Sequence, residues 1–255
     1  MVSADLAAIA SGVGVGLLLG LLGGGGSILA VPLLLYVVGI TDPHVAIGTA
    51  AVAVTASAIA NLLLHARAGT VKWPCAMTYA ASGVAGAFAG AALGQAVDGH
   101  KLLLAFAVAM LGVAISMFRR PEDAGDPNVH INAAIAVRLV PTGLLTGLAS
   151  GFFGIGGGFL IVPGLMSAAG MTILNAVGSS LVAVSLFGAS TAASYAWAGL
   201  VDWRPALFFI AGGVAGGLIA RSVSHSFVNR KKQLSQIFAG VITLAALYIV
   251  FKSIS

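Results

Sequence analysis

The sequence predicts an all-α integral membrane protein made of two homologous inverted repeats, each with a glycine-broken hairpin of short helices followed by three spanning helices. Three observations support this prediction. The chain is 59% hydrophobic and only 7% charged, whereas soluble domains carry roughly 25% charged residues. A long glycine-rich block occurs twice. The basic residues also divide unevenly between the loops, and the division depends on how the two halves are oriented.

The two glycine blocks reveal an internal duplication. The first block covers residues 16–32 and the second covers residues 147–163, and each ends in a Val-Pro pair. The match continues beyond the blocks, because the Gly-Val-Ala-Gly sequence of residues 83–86 recurs at residues 213–216. Matched interruptions in the two halves of a membrane protein point to its substrate site.

The apolar segments follow the same order in both halves. Segment a ends at the glycines, and segment b follows them and stops at Thr41-Asp42-Pro43. Segments c and d contain no Asp, Glu, Lys or Arg, and segment e closes the half. The segments are a, 6–22; b, 28–40; c, 44–65; d, 73–97; e, 102–118; a′, 139–153; b′, 159–171; c′, 174–200; d′, 205–220; and e′, 234–251.

Segment length separates two kinds of helix. Segments c, d and c′ exceed the roughly 20 residues that a spanning helix requires, whereas a, b, a′ and b′ are short. The short segments are expected either to cross the membrane fully or to be re-entrant. The polar stretch 119–138, with its prolines and charges, is predicted to be a cytoplasmic linker between a first membrane repeat, 1–118, and a second, 139–255.

The basic residues favour an inverted orientation, because Lys and Arg concentrate in cytoplasmic loops. If segments a and b return to the side on which they begin, the twelve basic residues divide nine to three. If a and b form one broken span, the halves are parallel and the division is seven to five. The larger asymmetry predicts that both termini lie outside. The nine are Arg67, Lys72, Arg119, Arg120, Arg138, Arg221, Arg230, Lys231 and Lys232, and the three are Lys101, Arg204 and Lys252.

The glycine blocks predict an anion site. Irregular backbone inside a membrane must face protein or a water-filled cavity, and glycine permits close approach of the backbone to a ligand. Helix b is expected to begin near Ser27, so its unpaired N–H groups and positive dipole end face the break. The inverted copy aims helix b′ at the same place. Tight helix packing is the alternative role of such glycines. The predicted backbone site comprises Gly24, Gly25, Gly26, Ser27, Gly156, Gly157 and Gly158.

Polar side chains on the following helices are further candidates for substrate binding. Thr49 and Ser179 occupy equivalent positions early in c and c′, as do Thr55 and Ser185 farther along. Their hydroxyl groups would donate to an oxyanion or, alternatively, bond back to their own helical turn. Asn61 is a further candidate for substrate binding, because a buried side-chain amide requires hydrogen-bond partners.

His65 is a candidate for proton coupling, because histidine titrates near neutral pH. It also lies at the cytoplasmic end of segment c, where an interfacial histidine is ordinary.

The sequence argues against a nucleic-acid-binding protein, a metalloprotein and an enzyme. The basic residues lie singly or in short clusters between long apolar runs, which is typical of membrane-flanking charges and not of a nucleic-acid surface. No Cys/His spacing resembles a metal site, and no cofactor is expected. The seven acidic residues all fall near predicted loops or termini, so an enzyme with paired carboxylates in the membrane is disfavoured. The expected partners are a small anion and the lipid bilayer, and a homodimer stays open.

The motifs resemble those of the TauE/SafE sulfite-exporter family of membrane permeases. The resemblance rests on the glycine block from Gly151 to Pro163, on Ala46-Ile47-Gly48-Thr49 with its second copy, and on the Tyr195-x-x-x-Gly199-x-Val201-Asp202-Trp203 sequence. It covers essentially the whole chain. It implies a secondary transporter that exports sulfite, a sulfonate or a related organic anion across the bacterial inner membrane. A passive anion channel, or an uptake permease for a small carboxylate or sulfur oxyanion, is the alternative.

Overall fold

The computed structural model describes residues 2–118, 125–154, 158–227 and 231–254. The described residues contain helices and no strands, which confirms the all-α prediction. A 3-10 helix, Gly23–Leu29, links the first two α-helices, and a π-helical turn, Leu34–Val38, follows the second. The α-helices are α1, Val2–Leu22; α2, Ala30–Leu33; α3, Pro43–Arg67; α4, Trp73–Ala96; α5, Gly99–Phe118; α6, Ala133–Phe153; α7, Gly158–Ala169; α8, Ile173–Trp197; α9, Trp203–Phe227; and α10, Lys231–Ile254.

Six helical stretches among the described residues are long and apolar enough to cross a membrane. Large apolar side chains cover their outer surface: Val137 is 73% exposed and Leu145 is 66% exposed. A soluble protein rarely leaves such side chains open to water over so wide an area, so this surface faces lipid. The six stretches are 3–38, 43–67, 73–96, 133–153, 173–197 and 203–222.

The prediction that segments a and a′ are short is wrong. Both α1 and α6 have 21 residues, because each helix begins before the apolar segment and includes a charged residue in its first turns. Asp5 belongs to α1 and is paired with Arg204 at 2.8 Å. Arg138 belongs to α6 and is exposed, so the last six residues of the predicted linker are helical. Segment b′ is short as expected, since α7 has 12 residues.

The duplication is visible in the backbone. Six described glycines have positive φ, and each one in the first half has its counterpart in the second. Gly23 and Gly154, at φ +67° and +68°, end α1 and α6. This left-handed conformation is typical of the residue that follows a helix, and glycine adopts it without steric cost. The other two pairs are Gly39 with Gly170 and Gly69 with Gly199.

The two halves interlock through glycine seams. A methyl group on Gly16 of α1 would overlap the carbonyl of Gly213 in α9, and one on Gly147 of α6 would overlap the carbonyl of Gly83 in α4. Along each pair of helices, the contacting residues increase in residue number together, so α1 runs parallel to α9 and α6 runs parallel to α4. Small residues at such spacing let membrane helices approach closely. The first helix of each half therefore packs against the fourth helix of the other half.

The central pair, α3 and α8, is antiparallel. Near the start of α3, the Thr49 hydroxyl oxygen accepts a hydrogen bond from the Asp202 N–H, just beyond the end of α8, at 2.9 Å. Near the start of α8, the Ser179 hydroxyl accepts from the Lys72 N–H, just beyond the end of α3, also at 2.9 Å. Equivalent helices of the two halves thus point in opposite directions at the centre of the bundle.

The bundle has two distinct faces. One face, here called the N-terminal face, has an open cavity of about 460 Å³ whose lining includes Asp5 at the start of α1, Thr41 just before α3, and Asp202 just before α9. Helix α1 and the broken segment that follows it therefore form a hairpin that returns to this face. On the opposite face, here called the linker face, Asp126 of the linker lies beside the loop after α7. The Asp126 N–H donates to the Gly170 carbonyl at 2.8 Å.

Candidate functional site

The two helix breaks meet. A methyl group on Gly24, in the first glycine block, would overlap the backbone of Gly158, and one on Gly158 would overlap the carbonyl of Gly24. The two backbones are therefore in direct contact. The side chain of Val184 also touches Gly24, and Val184 lies near the middle of the 25-residue helix α8. The contact between the breaks is thus deep inside the bundle, away from both faces.

The first break has a defined local structure. After Gly23 turns the chain at the end of α1, the backbone continues as a 3-10 helix. The Gly24 N–H donates to the Ser180 hydroxyl at 3.0 Å, and the Ser27 hydroxyl donates to the Gly24 carbonyl at 2.8 Å. Gly24, Gly26 and Ser27 are buried, whereas Gly25 keeps part of its surface accessible. Of the predicted site residues in this block, Gly25 has the most open backbone.

The second break is described only in part. Gly156 and Gly157, which belong to the predicted site, lie outside the described residues. Gly158 begins α7 and faces Gly24. The N–H groups of the first helical turn have no partner within the helix, and this end carries partial positive charge. The N-terminus of α7 therefore lies against the first break, and its role in binding an anion stays a prediction.

Thr49 and Ser179 lie near opposite faces of the bundle and their hydroxyl oxygens accept backbone N–H groups, as described above. Each side chain ties its helix to the loop that precedes α9 or α4. The structure does not bring these two hydroxyls together at the break, and their bonding favours a role in joining the halves. Their proposed contact with substrate stays a prediction.

Thr55 and Ser185 lie at the midpoints of α3 and α8. Each hydroxyl donates to the carbonyl four residues earlier, at 2.6 Å for Thr55 and 2.7 Å for Ser185. This is the bonding within one helical turn that is common for hydroxyls in membrane helices. Thr55 faces Gly188 of α8, so it lies at the crossing of the central helices. Both oxygens retain the capacity to accept a further hydrogen bond.

Asn61 lies in the seam between α1, α3 and α9. Its amide nitrogen donates to the Ser57 carbonyl at 2.9 Å and to the Gly16 carbonyl at 3.4 Å. Its side chain is 1% exposed, and its amide oxygen has no hydrogen-bond partner. Asn61 therefore contacts the glycine seam and is separate from the Gly24–Gly158 contact.

His65 reaches the end of α1. One ring nitrogen, Nε2, lies 2.9 Å from the Gly20 carbonyl oxygen, and the other, Nδ1, lies 3.0 Å from the Thr70 hydroxyl. A carbonyl oxygen only accepts, so Nε2 carries a hydrogen in this arrangement. His65 thus contacts the helix that leads into the first break, although its role in proton coupling stays a prediction.

Sequence reasoning missed Ser180. Its side chain is fully buried and is the acceptor of the Gly24 N–H. The sequence did contain a signal for Ser180. The equivalent residue of the first half is Ala50, so this serine departs from the repeat. The nearest groups around Gly24 and Gly158 are backbone, the Val184 side chain and the Ser180 hydroxyl, and no Lys, Arg, Asp or Glu is among the buried side chains of the described residues.

Broken helices that meet inside a bundle built from two repeats are the architecture of secondary transporters. A family model described as sulfite exporter TauE/SafE matches residues 8–249 of the chain. The chain belongs to this family of membrane transporters and is a multi-pass protein of the cell membrane.

Several relatives carry the same general name. A probable membrane transporter protein of Xylella fastidiosa is 48% identical over 246 residues, which cover 96% of this chain and 94% of the relative. One of Haemophilus influenzae is 30% identical over 182 residues, 69% of this chain and 67% of the relative. The probable membrane transporter protein YunE of Bacillus subtilis is 25% identical over 241 residues, 85% of each chain. No solved structure gives a significant match.

Proposed function

We propose that this chain is a secondary transporter that exports a small anion, such as sulfite, a sulfonate or a related organic anion. The observation that carries the proposal is the contact between Gly24 and Gly158 deep inside the bundle. At this place the 3-10 segment that follows α1 and the N-terminal end of α7 come together. Backbone N–H groups and the positive end of a helix favour an anion over a cation.

The absence of charge around the described part of the site accords with transport. A buried lysine or arginine would hold an oxyanion through short, charge-assisted hydrogen bonds. Here the nearest described groups are a valine side chain, the Ser180 hydroxyl and backbone, and no Lys or Arg is among the buried side chains of the described residues. Dipoles and hydroxyls attract an anion without clamping it, so the proposed site binds with modest affinity and releases what it carries.

We further propose that the halves are inverted repeats related by a pseudo-two-fold axis in the membrane plane, with both termini outside and the linker in the cytoplasm. The antiparallel packing of α3 against α8 supports this proposal. So does the hairpin that returns the first broken segment to the N-terminal face. The linker face then carries the larger share of basic residues, as cytoplasmic surfaces do.

Site-directed labelling tests this topology. Cysteines are placed at exposed Asn128 in the linker and after the last residue, in a Cys75→Ala background, because Cys75 is buried in the native chain. A membrane-impermeant maleimide is expected to label the C-terminal cysteine from outside intact cells and the linker cysteine only after the membrane is opened. Labelling of both positions from the same side contradicts the inverted arrangement.

The proposed direction follows from the membrane potential. Moving one negative charge outward is assisted by an inside-negative potential by about 2.3 kcal/mol per 100 mV. Export of an uncompensated anion therefore runs downhill, whereas import requires protons or another cation to offset the charge. No Lys or Arg is among the buried side chains of the described residues, which fits the outward direction.

Flux measurements test the proposal. Proteoliposomes loaded with labelled sulfite are expected to release it several-fold faster when a potassium gradient with valinomycin makes the interior negative. Unlabelled sulfite outside is expected to accelerate the exchange of label, because a transporter alternates its access and a channel does not. Efflux that is insensitive to voltage, or that requires an opposing proton gradient, contradicts electrogenic export. Voltage-driven efflux without accelerated exchange identifies a passive channel.

A further inference from the structure

At the first break, the Gly24 N–H and the Gly20 carbonyl are bonded to side chains of other helices and not to each other. In a continuous α-helix the Gly24 N–H would donate to the Gly20 carbonyl, four residues earlier. Instead, the Gly24 N–H donates to the Ser180 hydroxyl of α8 at 3.0 Å. The Gly20 carbonyl oxygen lies 2.9 Å from His65 Nε2 of α3. Side chains from two other helices therefore occupy both backbone groups and keep them apart.

Both side chains are held in place. The Ser180 hydroxyl donates its own hydrogen to the Val177 carbonyl at 2.8 Å, so its oxygen is left to accept from Gly24. His65 Nδ1 lies 3.0 Å from the Thr70 hydroxyl. The Thr70 hydroxyl is in turn in contact with Gly178 of α8. The arrangement at the break thus depends on α1, α3 and α8 together.

The second half lacks the two side chains that hold the first break. Ala50 stands where Ser180 stands in the repeat, and Tyr195 stands in place of His65. The Tyr195 hydroxyl is buried without a hydrogen-bond partner among the described residues. The residue equivalent to Gly24 is Ile155, which lies outside the described residues. The difference between the halves is therefore a difference in side chains.

We propose that Ser180 and His65 are positioning residues for the transported anion, and that the Ser180 oxygen occupies the place that an anion oxygen takes on the Gly24 N–H. The proposal rests on the proposed function and adds two residues to its site. A hydrogen bond to a charged acceptor is stronger than one to a neutral hydroxyl, so an anion displaces Ser180. His65 keeps the Gly20 carbonyl from reclaiming the Gly24 N–H, and Gly23 and Gly24 tolerate either backbone conformation.

Two substitutions are expected to act in opposite directions. Ser180→Ala frees the Gly24 N–H while His65 still holds the Gly20 carbonyl, so the KM for sulfite efflux is expected to fall about fivefold, the size of one net hydrogen bond. His65→Phe removes the donor and releases the Gly20 carbonyl, which then binds the Gly24 N–H, and the KM is expected to rise about fivefold. The double variant is expected to depart from additivity, because both residues act on the same N–H.

Matched controls are available in the chain. Ser190→Ala removes a hydroxyl of α8 that bonds only back to Leu186, at 2.9 Å. Tyr195→Phe removes a hydroxyl that has no partner. Both controls are expected to leave the KM for sulfite unchanged. A KM that rises or stays constant in Ser180→Ala, or that falls or stays constant in His65→Phe, overturns the proposal.

Hydrogen exchange separates this proposal from the proposed function. In the purified wild-type protein and Ser180→Ala, mass spectrometry follows the amides of residues 20–29. Loss of the Ser180 acceptor is expected to speed exchange there at least about fivefold, with no change in the α6 peptides. Unchanged exchange in residues 20–29 overturns the proposed positioning even if sulfite is transported. Absence of flux of sulfite, sulfonates and related organic anions in the wild type overturns the proposed function, whereas the exchange result tests the positioning of the Gly24 N–H.

Discussion

Alanine at Gly24 is expected to abolish anion efflux almost completely, with folded protein still present in the membrane. The added methyl group would overlap the backbone of Gly158 and crowd Val184. Relief of this overlap requires the two breaks to move apart, and misplacement of a site by about 1 Å can cost about 100-fold in rate. Gly158→Ala is expected to have the same effect, because its methyl group would overlap the Gly24 carbonyl.

The matched control is Gly14→Ala. Gly14 also lies in α1, but a methyl group there meets no atom within 4 Å. Alanine is a better helix former than glycine by about 1 kcal/mol, so this variant is expected to transport normally and to be no less stable. Efflux from reconstituted protein, normalised to the amount of monodisperse protein, is the measurement. Wild-type efflux in both Gly24→Ala and Gly158→Ala would return these glycines to a purely packing role.

Leucine at Gly16 is expected to prevent folding of the bundle. Gly16 packs its backbone against the Gly213 carbonyl in the seam between α1 and α9. A larger side chain forces the two helices apart along the whole seam, at a cost of about 3 kcal/mol or more. Gly147→Leu is expected to disrupt the equivalent seam between α6 and α4, where Gly147 faces the Gly83 carbonyl.

The measurement is the yield of monodisperse protein in detergent, together with its thermal unfolding. Gly112→Leu is the control, because Gly112 of α5 is exposed on the outer surface and a methyl group there meets no atom within 4 Å. Normal yield is expected for Gly112→Leu and little or no folded protein for the two seam variants. A folded, stable Gly16→Leu protein would show that the seam tolerates a wider helix separation.

The duplication made much of this fold predictable. Residues at a constant offset have the same backbone role, as with the left-handed Gly23 and Gly154 that end α1 and α6. The interlocking of the halves was not predictable, because nothing local to α1 indicates that its partner is α9. For the same reason segment a was predicted too short. Asp5 lies outside the apolar segment but inside α1, where it is paired with Arg204 from a distant part of the chain.

The candidate site was predictable where it depends on glycine and less so where it depends on side chains. Consecutive glycines within an apolar segment indicated the break itself. Thr49 and Ser179 were selected because they occupy equivalent positions in the two halves. Residues that join the halves also occupy equivalent positions, and the hydrogen bonds of these two hydroxyls join the halves. Ser180 and His65 break the repeat. Their partners, Gly24 and Gly20, become neighbours only after α1, α3 and α8 have packed.

The location of a bound oxyanion distinguishes an anion site at the helix breaks from one at the surface. Selenite has the shape and charge of sulfite, and its selenium atom is located by anomalous scattering in crystals of the wild-type protein. We expect a selenium peak beside the Gly24–Gly158 contact, and its loss in Gly24→Ala but not in Gly14→Ala. A peak confined to the open cavity near Arg204 at the N-terminal face, or no peak between the helix breaks at saturating selenite, would contradict this expectation.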